Sequence, residues 1–244
     1  MPRTRLDLLV VDRGLAPSRE RARSLIMAGQ VRVNGQTASK AGELVAPDAD
    51  VVLTAADHPY VGRGGIKLAH ALDVFRIGVG GRRGLDIGAS TGGFTDVLLQ
   101  RGAVHVVALD VGHGQLDWKL RTDARVTVLE GVNARKLEGP AIGAPFDIVT
   151  IDVSFISVRQ ILPGVPPLLA PGADVVALVK PQFEAGREEV GRKGVVRDPE
   201  IQARVVEDAS DAAATVGLRE RGRTESPITG AEGNREFFLH LTAA

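Results

Sequence analysis

The feature that most constrains the fold is a short apolar stretch followed by a glycine-rich turn and a helix. Residues 85–87 have the character of a buried strand, and Gly88-Ala89-Ser90-Thr91-Gly92-Gly93 follows directly. An amphipathic helix is predicted to begin near Gly93. Glycines let a ligand approach the main chain where a Cβ would block it, and a helix N-terminus offers free N–H groups. This arrangement is typical of the nucleoside site of a doubly wound α/β sheet.

The turn differs from two common nucleotide-binding motifs. In a dinucleotide fingerprint, a second glycine would stand at Ser90, and a P-loop would end in Gly-Lys-Ser or Gly-Lys-Thr. A second apolar strand ends at Asp110, where a carboxylate accepts both hydroxyls of a ribose. The pattern therefore favours a nucleoside ligand without a pyrophosphate, and S-adenosylmethionine fits best.

Apolar segments alternate with helical ones through the rest of the chain, which predicts a parallel sheet with helices on both faces. The predicted strands are 84–87, 104–109, 126–129, 146–151 and 175–179, and segments 218–223 and 235–241 complete the sheet. A polar, glycine-rich stretch at 181–197 has the composition of a lid or substrate loop. A helix is expected after it, with Asp198 as N-cap and Pro199 at its first position.

The chain as a whole is neutral, with 30 basic and 30 acidic residues, but its first 40 residues carry eight basic and three acidic ones. Helices are predicted at 5–14 and 18–28, and Val31-Arg32-Val33-Asn34-Gly35 predicts a hairpin. A basic N-terminal part suggests a polyanionic partner.

Several classes of protein are disfavoured by composition. There is no cysteine, and the five histidines lack metal-ligand spacing, so no metal site is expected. Neither a signal peptide nor a stretch of roughly 20 apolar residues is present, which predicts a soluble cytoplasmic protein without a membrane partner.

Four charged residues from distant parts of the chain are predicted to converge. Asp152 and Lys180 end neighbouring apolar strands, and Lys67 lies on a helix just before the first strand. If the last strand is antiparallel, it begins at the same edge of the sheet, which brings Glu236 beside the others.

The N-terminal residues resemble an RNA-binding domain named after a protein of the small ribosomal subunit (S-four type). The resemblance covers about residues 5–54 and rests on Leu6-Asp7, Ser18-Arg19-Glu20-Arg21-Ala22 and Gly29-Gln30-Val31-Arg32-Val33-Asn34-Gly35. Such domains bind folded RNA by its shape and phosphates.

The four charged residues resemble the Lys-Asp-Lys-Glu tetrad of FtsJ-like ribose 2′-O-methyltransferases. Over nearly its full length the chain resembles the TlyA (haemolysin A) family of ribosomal RNA methyltransferases, on the motifs Asp86 to Phe94, Asp152-Val153-Ser154-Phe155, Leu178 to Glu184 and Gly233-Asn234-Arg235-Glu236. The linker reads His58-Pro59-Tyr60-Val61, where many relatives have arginine and tryptophan. The resemblance implies transfer of the methyl group of S-adenosylmethionine to the 2′-hydroxyl of a cytidine in 16S and/or 23S rRNA.

Together, these patterns predict a Rossmann-like methyltransferase with a mostly parallel seven-stranded sheet, its last strand antiparallel, and a small N-terminal α+β domain. The predicted limits are 1–56 for the RNA-binding domain, 57–66 for a linker and 67–244 for the methyltransferase domain. The predicted catalytic residues are Lys67, Asp152, Lys180 and Glu236. The predicted cofactor-binding residues are Asp86, Gly88, Ala89, Ser90, Gly92, Gly93, Phe94, Asp110, Asn133 and Asp152. The predicted RNA-binding residues are Arg5, Arg19, Arg21, Arg23 and Arg32, with ribosomal RNA or ribosomal subunits as the partner.

Other functions are compatible with parts of this pattern. The chain could be a catalytically inactive RNA-binding or ribosome-assembly protein, a haemolysin or a small-molecule methyltransferase. An intact tetrad argues against the first, the lack of a basic interfacial helix against the second, and the arginine-rich head against the third. The sequence leaves open which lysine gives up a proton, which nucleotide and subunit are modified, and the oligomeric state.

Overall fold

A computed structural model describes residues 3–27, 29–54, 58–191, 194–230 and 232–243. The chain divides into two compact units, Met1–Pro59 and Tyr60–Ala244. This division falls inside the predicted linker, residues 57–66. Residues 64–66 of that segment form the first turn of a helix, which therefore begins inside the predicted linker.

The first unit is a small α+β domain, as predicted. It has two helices, α1 (Leu6–Asp12) and α2 (Arg19–Met27). Its strands are β1 (Thr4–Arg5), β2 (Val31–Val33), β3 (Gln36–Thr37), β4 (Leu44–Val45) and β5 (Val51–Leu53). The sheet order is β3-β2-β5, with a separate β1-β4 pair. The predicted hairpin joins β2 to β3, and both Asn34 and Gly35 have positive φ, as its tight turn requires.

The core of this unit is the inner face of the two helices packed on the small sheet. Ser18 precedes α2, and its hydroxyl accepts a hydrogen bond from the Arg21 N–H at 3.2 Å, as an N-cap does. The predicted end of this helix, Ala28, lies outside the described residues. The buried apolar side chains include Leu6, Val10, Ala22, Leu25, Ile26 and Val31.

The second unit contains the predicted seven-stranded sheet. Its strands are β6 (Arg83–Ile87), β7 (His105–Asp110), β8 (Val126–Glu130), β9 (Phe146–Ile151), β10 (Leu169–Val179), β11 (Leu218–Glu225) and β12 (Phe237–Ala243). They lie in the order β11-β12-β10-β9-β6-β7-β8. Strands β6 to β10 are parallel, whereas β12 is antiparallel to both of its neighbours.

Helices cover both faces of this sheet, as predicted. They are α3 (Gly64–Phe75), α4 (Gly93–Gln100), α5 (Trp118–Arg121), α6 (Pro181–Glu184) and α7 (Pro199–Thr215). Leu68 of α3 and Leu98 of α4 belong to one apolar core, and Val206 and Ala209 of α7 belong to the other. The Asp198 side chain caps α7 by accepting from the Glu200 N–H, and Pro199 is its first residue.

The structure differs from the prediction in three local features. Strand β10 begins at Leu169, six residues before the predicted start, with an irregular register up to Asp174. The predicted loop after Lys180 begins with the short helix α6. The connections on either side of β9 are 3₁₀ turns, among them Gly139–Ile142 and Val158–Gln160. None of the helices in the described part of the chain has the length and apolar character needed to cross a membrane.

Candidate active site

The carboxyl ends of the parallel strands bring the predicted functional residues to one edge of the sheet. Gly88 follows β6, Asp152 follows β9 and Lys180 follows β10. Strand β12 enters antiparallel, and Phe237 pairs with Val179, so Glu236 lies at the same edge. The predicted convergence of distant charged residues is confirmed in its geometry.

At this edge the backbone of Gly88 lies directly against the backbone of Asp152. Its φ of +86° lies in the left-handed region, and a Cβ there would be 2.5 Å from the carbonyl oxygen of Asp152. The Asp152 N–H donates to the Ile87 carbonyl at 2.9 Å, which holds the two strand ends together. A side chain at position 88 would therefore push apart the two segments that carry the site.

Asp86 has a different place from the one predicted. It is completely buried, and one carboxylate oxygen accepts from the Thr95 N–H and hydroxyl at 2.9 and 2.7 Å. The other oxygen accepts from the Thr150 hydroxyl at 3.0 Å. Asp86 lines neither of the two cavities described below. We therefore correct its role from a cofactor contact to a buried group that fixes α4 and β9 around β6.

Burial raises the pKa of Asp86 to about 7, against the lowering effect of the Thr95 and Thr150 hydrogen bonds. The folded state therefore binds more protons than the unfolded state between about pH 4 and pH 7, and this group's contribution to the free energy of unfolding falls as the pH rises through that window. We expect the stability of Asp86→Asn relative to wild type to increase by up to about 4 kcal/mol from pH 4 to pH 8. Urea unfolding of both proteins at each pH measures this. A constant difference across the window would show that Asp86 is ionised throughout.

Gly92 also differs from its predicted role. Its φ is +93°, and a Cβ would run into the side chains of Leu120 and Leu116. It lines neither cavity, so its function is to let α5 pack against the turn. Gly93 begins α4, and its Cβ would lie 2.9 Å from the Gly65 nitrogen, so α3 and α4 approach closely there.

A cleft of about 620 Å³ opens along the ends of β6, β7 and β9. Five predicted cofactor residues line it, namely Gly88, Ser90, Asp110, Asn133 and Asp152. The Asp110 carboxylate accepts from the N–H groups of Ser90 at 2.8 Å and Gly112 at 2.7 Å. Each carboxylate oxygen has a further lone pair for a ligand hydroxyl. The volume of the cleft is within the usual range for a site that holds a small organic ligand.

A second pocket of about 300 Å³ adjoins this cleft. The two cavities share Gly88, Ser90, Asp152 and Ser154. The smaller pocket also contains both predicted catalytic lysines, and its other lining residues include Ala89, Gly93 and Phe94. The three last were predicted to contact a cofactor, and the structure places them beside the lysines instead of in the larger cleft.

The four charged residues form two lysine–carboxylate pairs. Lys67 Nζ lies 2.5 Å from Glu236 Oε2, and both side chains are almost fully buried. Lys180 Nζ lies 2.5 Å from Asp152 Oδ1 and also donates to the Ser154 hydroxyl at 2.9 Å. A buried charge is costly without a partner, and each of these has one of opposite sign. The prediction that the two acids would hold the two lysines is confirmed.

Arg63, Ser154 and Phe155 line the two cavities but were not among the predicted site residues. Arg63 precedes α3, lines the smaller pocket and donates to the Thr229 carbonyl at 2.7 Å. Phe155 lines the larger cleft with its side chain almost wholly exposed, at a φ of +64°. Ser154 lies between the cavities. Ser154 and Phe155 belong to the motif that begins at Asp152, so that motif held the signal for both.

The predicted RNA-binding arginines differ in their surroundings. Arg5 and Arg19 both donate to Asp7, at 3.0 and 2.9 Å, and Asp7 is fully buried although both arginines remain about half exposed. The Arg5 hydrogen bonds and those of Arg19 lower the pKa of Asp7 to about 2, against the effect of burial. Arg23 and Arg32 are exposed, and Arg21 donates to the His58 carbonyl at 3.2 Å. Contact with RNA by any of them remains a prediction.

Comparison with known proteins agrees with this architecture. Residues 60–243 match the model of the FtsJ-like methyltransferases, and residues 4–51 match the S4 domain. The chain is 50% identical over 240 residues to the 16S/23S rRNA (cytidine-2′-O)-methyltransferase TlyA of Mycobacterium tuberculosis, covering 98% of this chain and 90% of that one.

Two further similarities extend over almost the whole chain. Hemolysin A of Brachyspira hyodysenteriae is 42% identical, with 97% of this chain and 99% of that protein covered. A solved structure of a protein from Streptococcus thermophilus has a TM-score of 0.78 and 45% identity, and the match covers 100% of this chain and 90% of that one. With its tetrad at the sheet edge and these matches, the chain belongs to the FtsJ-like methyltransferase family and carries an N-terminal S4 domain.

Proposed function

We propose that this protein is an S-adenosylmethionine-dependent ribosomal RNA methyltransferase that acts on the 2′-hydroxyl of cytidine. The observation that carries the proposal is the pair of adjoining cavities, of which the smaller contains both lysines, paired with Glu236 and Asp152, and Asp152 lines both cavities. The 50% identity to a protein named as a 16S/23S rRNA (cytidine-2′-O)-methyltransferase supports the same substrate. The N-terminal S4 domain, with its exposed arginines, supports RNA as the partner.

The larger cleft fits S-adenosylmethionine in its residue types. Asp110 offers a carboxylate for the two ribose hydroxyls, and Gly88 lets the end of β6 lie against Asp152 at the edge of the cleft because it has no Cβ. Asn133 and Ser90 add polar groups, and Leu109 and Val132 add apolar surface for the adenine. The cofactor, when bound, supplies a methyl group already activated by its sulfonium.

The residues of the smaller pocket act on the target hydroxyl. A ribose hydroxyl is a poor nucleophile, so the protein has to hold it in line with the methyl group and accept its proton or stabilise its developing charge. Lys180 lines the smaller pocket, where its ammonium pairs with Asp152 and donates to Ser154, and both of these partners line both cavities. We assign the orienting or deprotonating role to Lys180. Glu236 pairs with Lys67, which lines the same pocket. There the positive charge of Lys67 stabilises the oxyanion that develops on the target hydroxyl.

Cofactor affinity is expected to depend strongly on Asp110. Asp110→Ala removes two charge-assisted hydrogen bonds to the ribose, worth roughly 1.5–3 kcal/mol each, so the affinity for S-adenosylmethionine should fall at least about tenfold. Calorimetric titration measures the change. Asp123→Ala is the matched control, because Asp123 is paired with Arg125 and lines neither cavity. Equal affinity in Asp110→Ala and wild type would remove Asp110 from the cofactor site.

The experiment that tests the proposed function uses the full chain and labelled cofactor. Purified protein is incubated with methyl-labelled S-adenosylmethionine and, separately, with unmethylated small and large ribosomal subunits. We expect label in the RNA fraction of at least one subunit. Label in neither RNA, from protein that binds the cofactor, would contradict the proposal and favour the inactive RNA-binding protein.

A further inference from the structure

Ser154 is placed to control the side chain of Lys180. Its hydroxyl accepts a hydrogen bond from Lys180 Nζ at 2.9 Å, and it lines both cavities. Asp152 Oδ1 lies 2.5 Å from the same nitrogen. A lysine ammonium has three N–H groups. One of them donates to Ser154, whereas Asp152 Oδ1 receives no hydrogen bond in the described part of the chain and holds the ammonium by charge.

Ser154 itself lies in a segment that is fixed at both ends. At its start, the Asp152 N–H donates to the Ile87 carbonyl at 2.9 Å. At its end, Glu184 accepts from the Ser157 hydroxyl at 2.5 Å and from the Val158 N–H at 2.6 Å. The backbone that carries Ser154 is thus anchored on both sides, as a preorganised site requires.

Phe155, the residue after Ser154, connects this segment with the helix that follows Lys180. Phe155 adopts a φ of +64°, which is uncommon for a bulky residue, and its ring lies 5.3 Å from that of Phe183. Phe183 belongs to α6, whose N-cap is Lys180. The segment with Ser154 and the helix that follows Lys180 therefore contact each other through these two rings.

From this geometry we infer that Ser154 is a positioning residue for methyl transfer, acting through Lys180 to aim its ammonium or amine at the target hydroxyl. The inference rests on the proposed function. A serine oxygen can accept from Lys180 and still donate its own hydrogen, so it also serves when Lys180 has lost a proton. Asp152 alone would hold Lys180 by charge but leave it free to rotate about that contact.

The test measures single-turnover methyl transfer to ribosomal subunits by the full-length protein. Ser154→Ala should slow the chemical step about tenfold, since a hydrogen bond to a charged group is lost. S-adenosylmethionine affinity should be unchanged. Ser154→Thr keeps the hydroxyl at an exposed position and should restore most of the rate. Ser210→Ala is the matched control, because it also removes a serine hydroxyl that makes a side-chain hydrogen bond, here to Glu220, but Ser210 lines neither cavity.

A double variant separates positioning from a general loss of structure. If Ser154 acts through Lys180, Ser154→Ala should cause no further slowing in a Lys180→Ala background. The inference is overturned if Ser154→Ala reacts at the wild-type rate or if Ser154→Thr is as slow as Ser154→Ala. It is also overturned if the rate losses of Ser154→Ala and Lys180→Ala multiply in the double variant. A loss of cofactor affinity without a loss of rate would also overturn it. If wild-type protein transfers no methyl group to RNA, the proposed function itself fails, and this inference fails with it.

Discussion

Replacing Lys180 by alanine should slow methyl transfer by about 10²–10⁴-fold, the usual contribution of a positioned acid or base. The ammonium lies in the smaller pocket, 2.5 Å from Asp152, which lines both cavities, and in the proposed mechanism it acts on the target hydroxyl only. Affinities for cofactor and RNA should therefore stay near those of wild type. Single-turnover kinetics with saturating RNA, together with cofactor titration, separate the chemical step from binding.

Two further variants sharpen this prediction. Arginine keeps the positive charge but cannot be deprotonated in a protein, so Lys180→Arg should be as slow as alanine if Lys180 is the base and partly active if it only stabilises charge. Lys119→Ala is the matched control, since Lys119 lies 3.6 Å from Asp96 and lines neither cavity. Lys180→Ala with a wild-type single-turnover rate would remove Lys180 from the reaction.

The second large effect is expected at Gly88. In Gly88→Ala, the new Cβ would lie 2.5 Å from the Asp152 carbonyl oxygen, and the residue would have to keep a φ of +86°. Left-handed backbone and overpacking together cost about 2–5 kcal/mol of folding free energy. Any relief moves Asp152 away from β6, so affinity for S-adenosylmethionine should also fall by at least about tenfold. Urea unfolding and calorimetric titration measure the two effects.

Gly80→Ala provides the control for this substitution. A Cβ at Gly80 has no heavy atom within 4 Å, and no left-handed φ is required there. The change should alter stability by about 1 kcal/mol or less and leave cofactor affinity unaffected. If Gly88→Ala folded as stably as Gly80→Ala and bound the cofactor normally, the close approach of Gly88 to Asp152 would not be needed for the fold or for the cofactor site.

The sheet and the convergence of the tetrad could be predicted because both follow from simple rules. Parallel strands end at the same edge, so Asp152 and Lys180 had to lie close once β9 and β10 were neighbours. Glu236 followed from the antiparallel entry of β12. These inferences needed the positions of the apolar runs, together with the assumptions that the strands before Asp152 and Lys180 are neighbours and that the last strand is antiparallel.

Residues whose role depends on remote packing could not be assigned in this way. Asp86 lies in a central strand covered on both faces, so its burial depends on Thr95 and Thr150 from other elements. Gly92 is required by two leucines more than 20 residues later in the chain. A local pattern shows that these residues are unusual, but it does not show what they contact.

The start of α3 was missed for a related reason. Gly62-Arg63-Gly64-Gly65 has the composition of a linker, yet the helix begins at Gly64. A Cβ on Gly65 would collide with the Tyr60 side chain, and Gly93 approaches the same turn. Glycine serves here for close packing, which composition alone cannot distinguish from flexibility.

The most direct test of the central claim is the chemical position of the transferred methyl group. RNA from subunits treated with labelled cofactor is digested to nucleosides, and the labelled nucleoside is identified by mass spectrometry. We predict 2′-O-methylcytidine from wild-type protein and a strongly reduced amount from Lys180→Ala. Label on a cytosine base, on another nucleoside, or in equal amounts from both proteins would contradict the account.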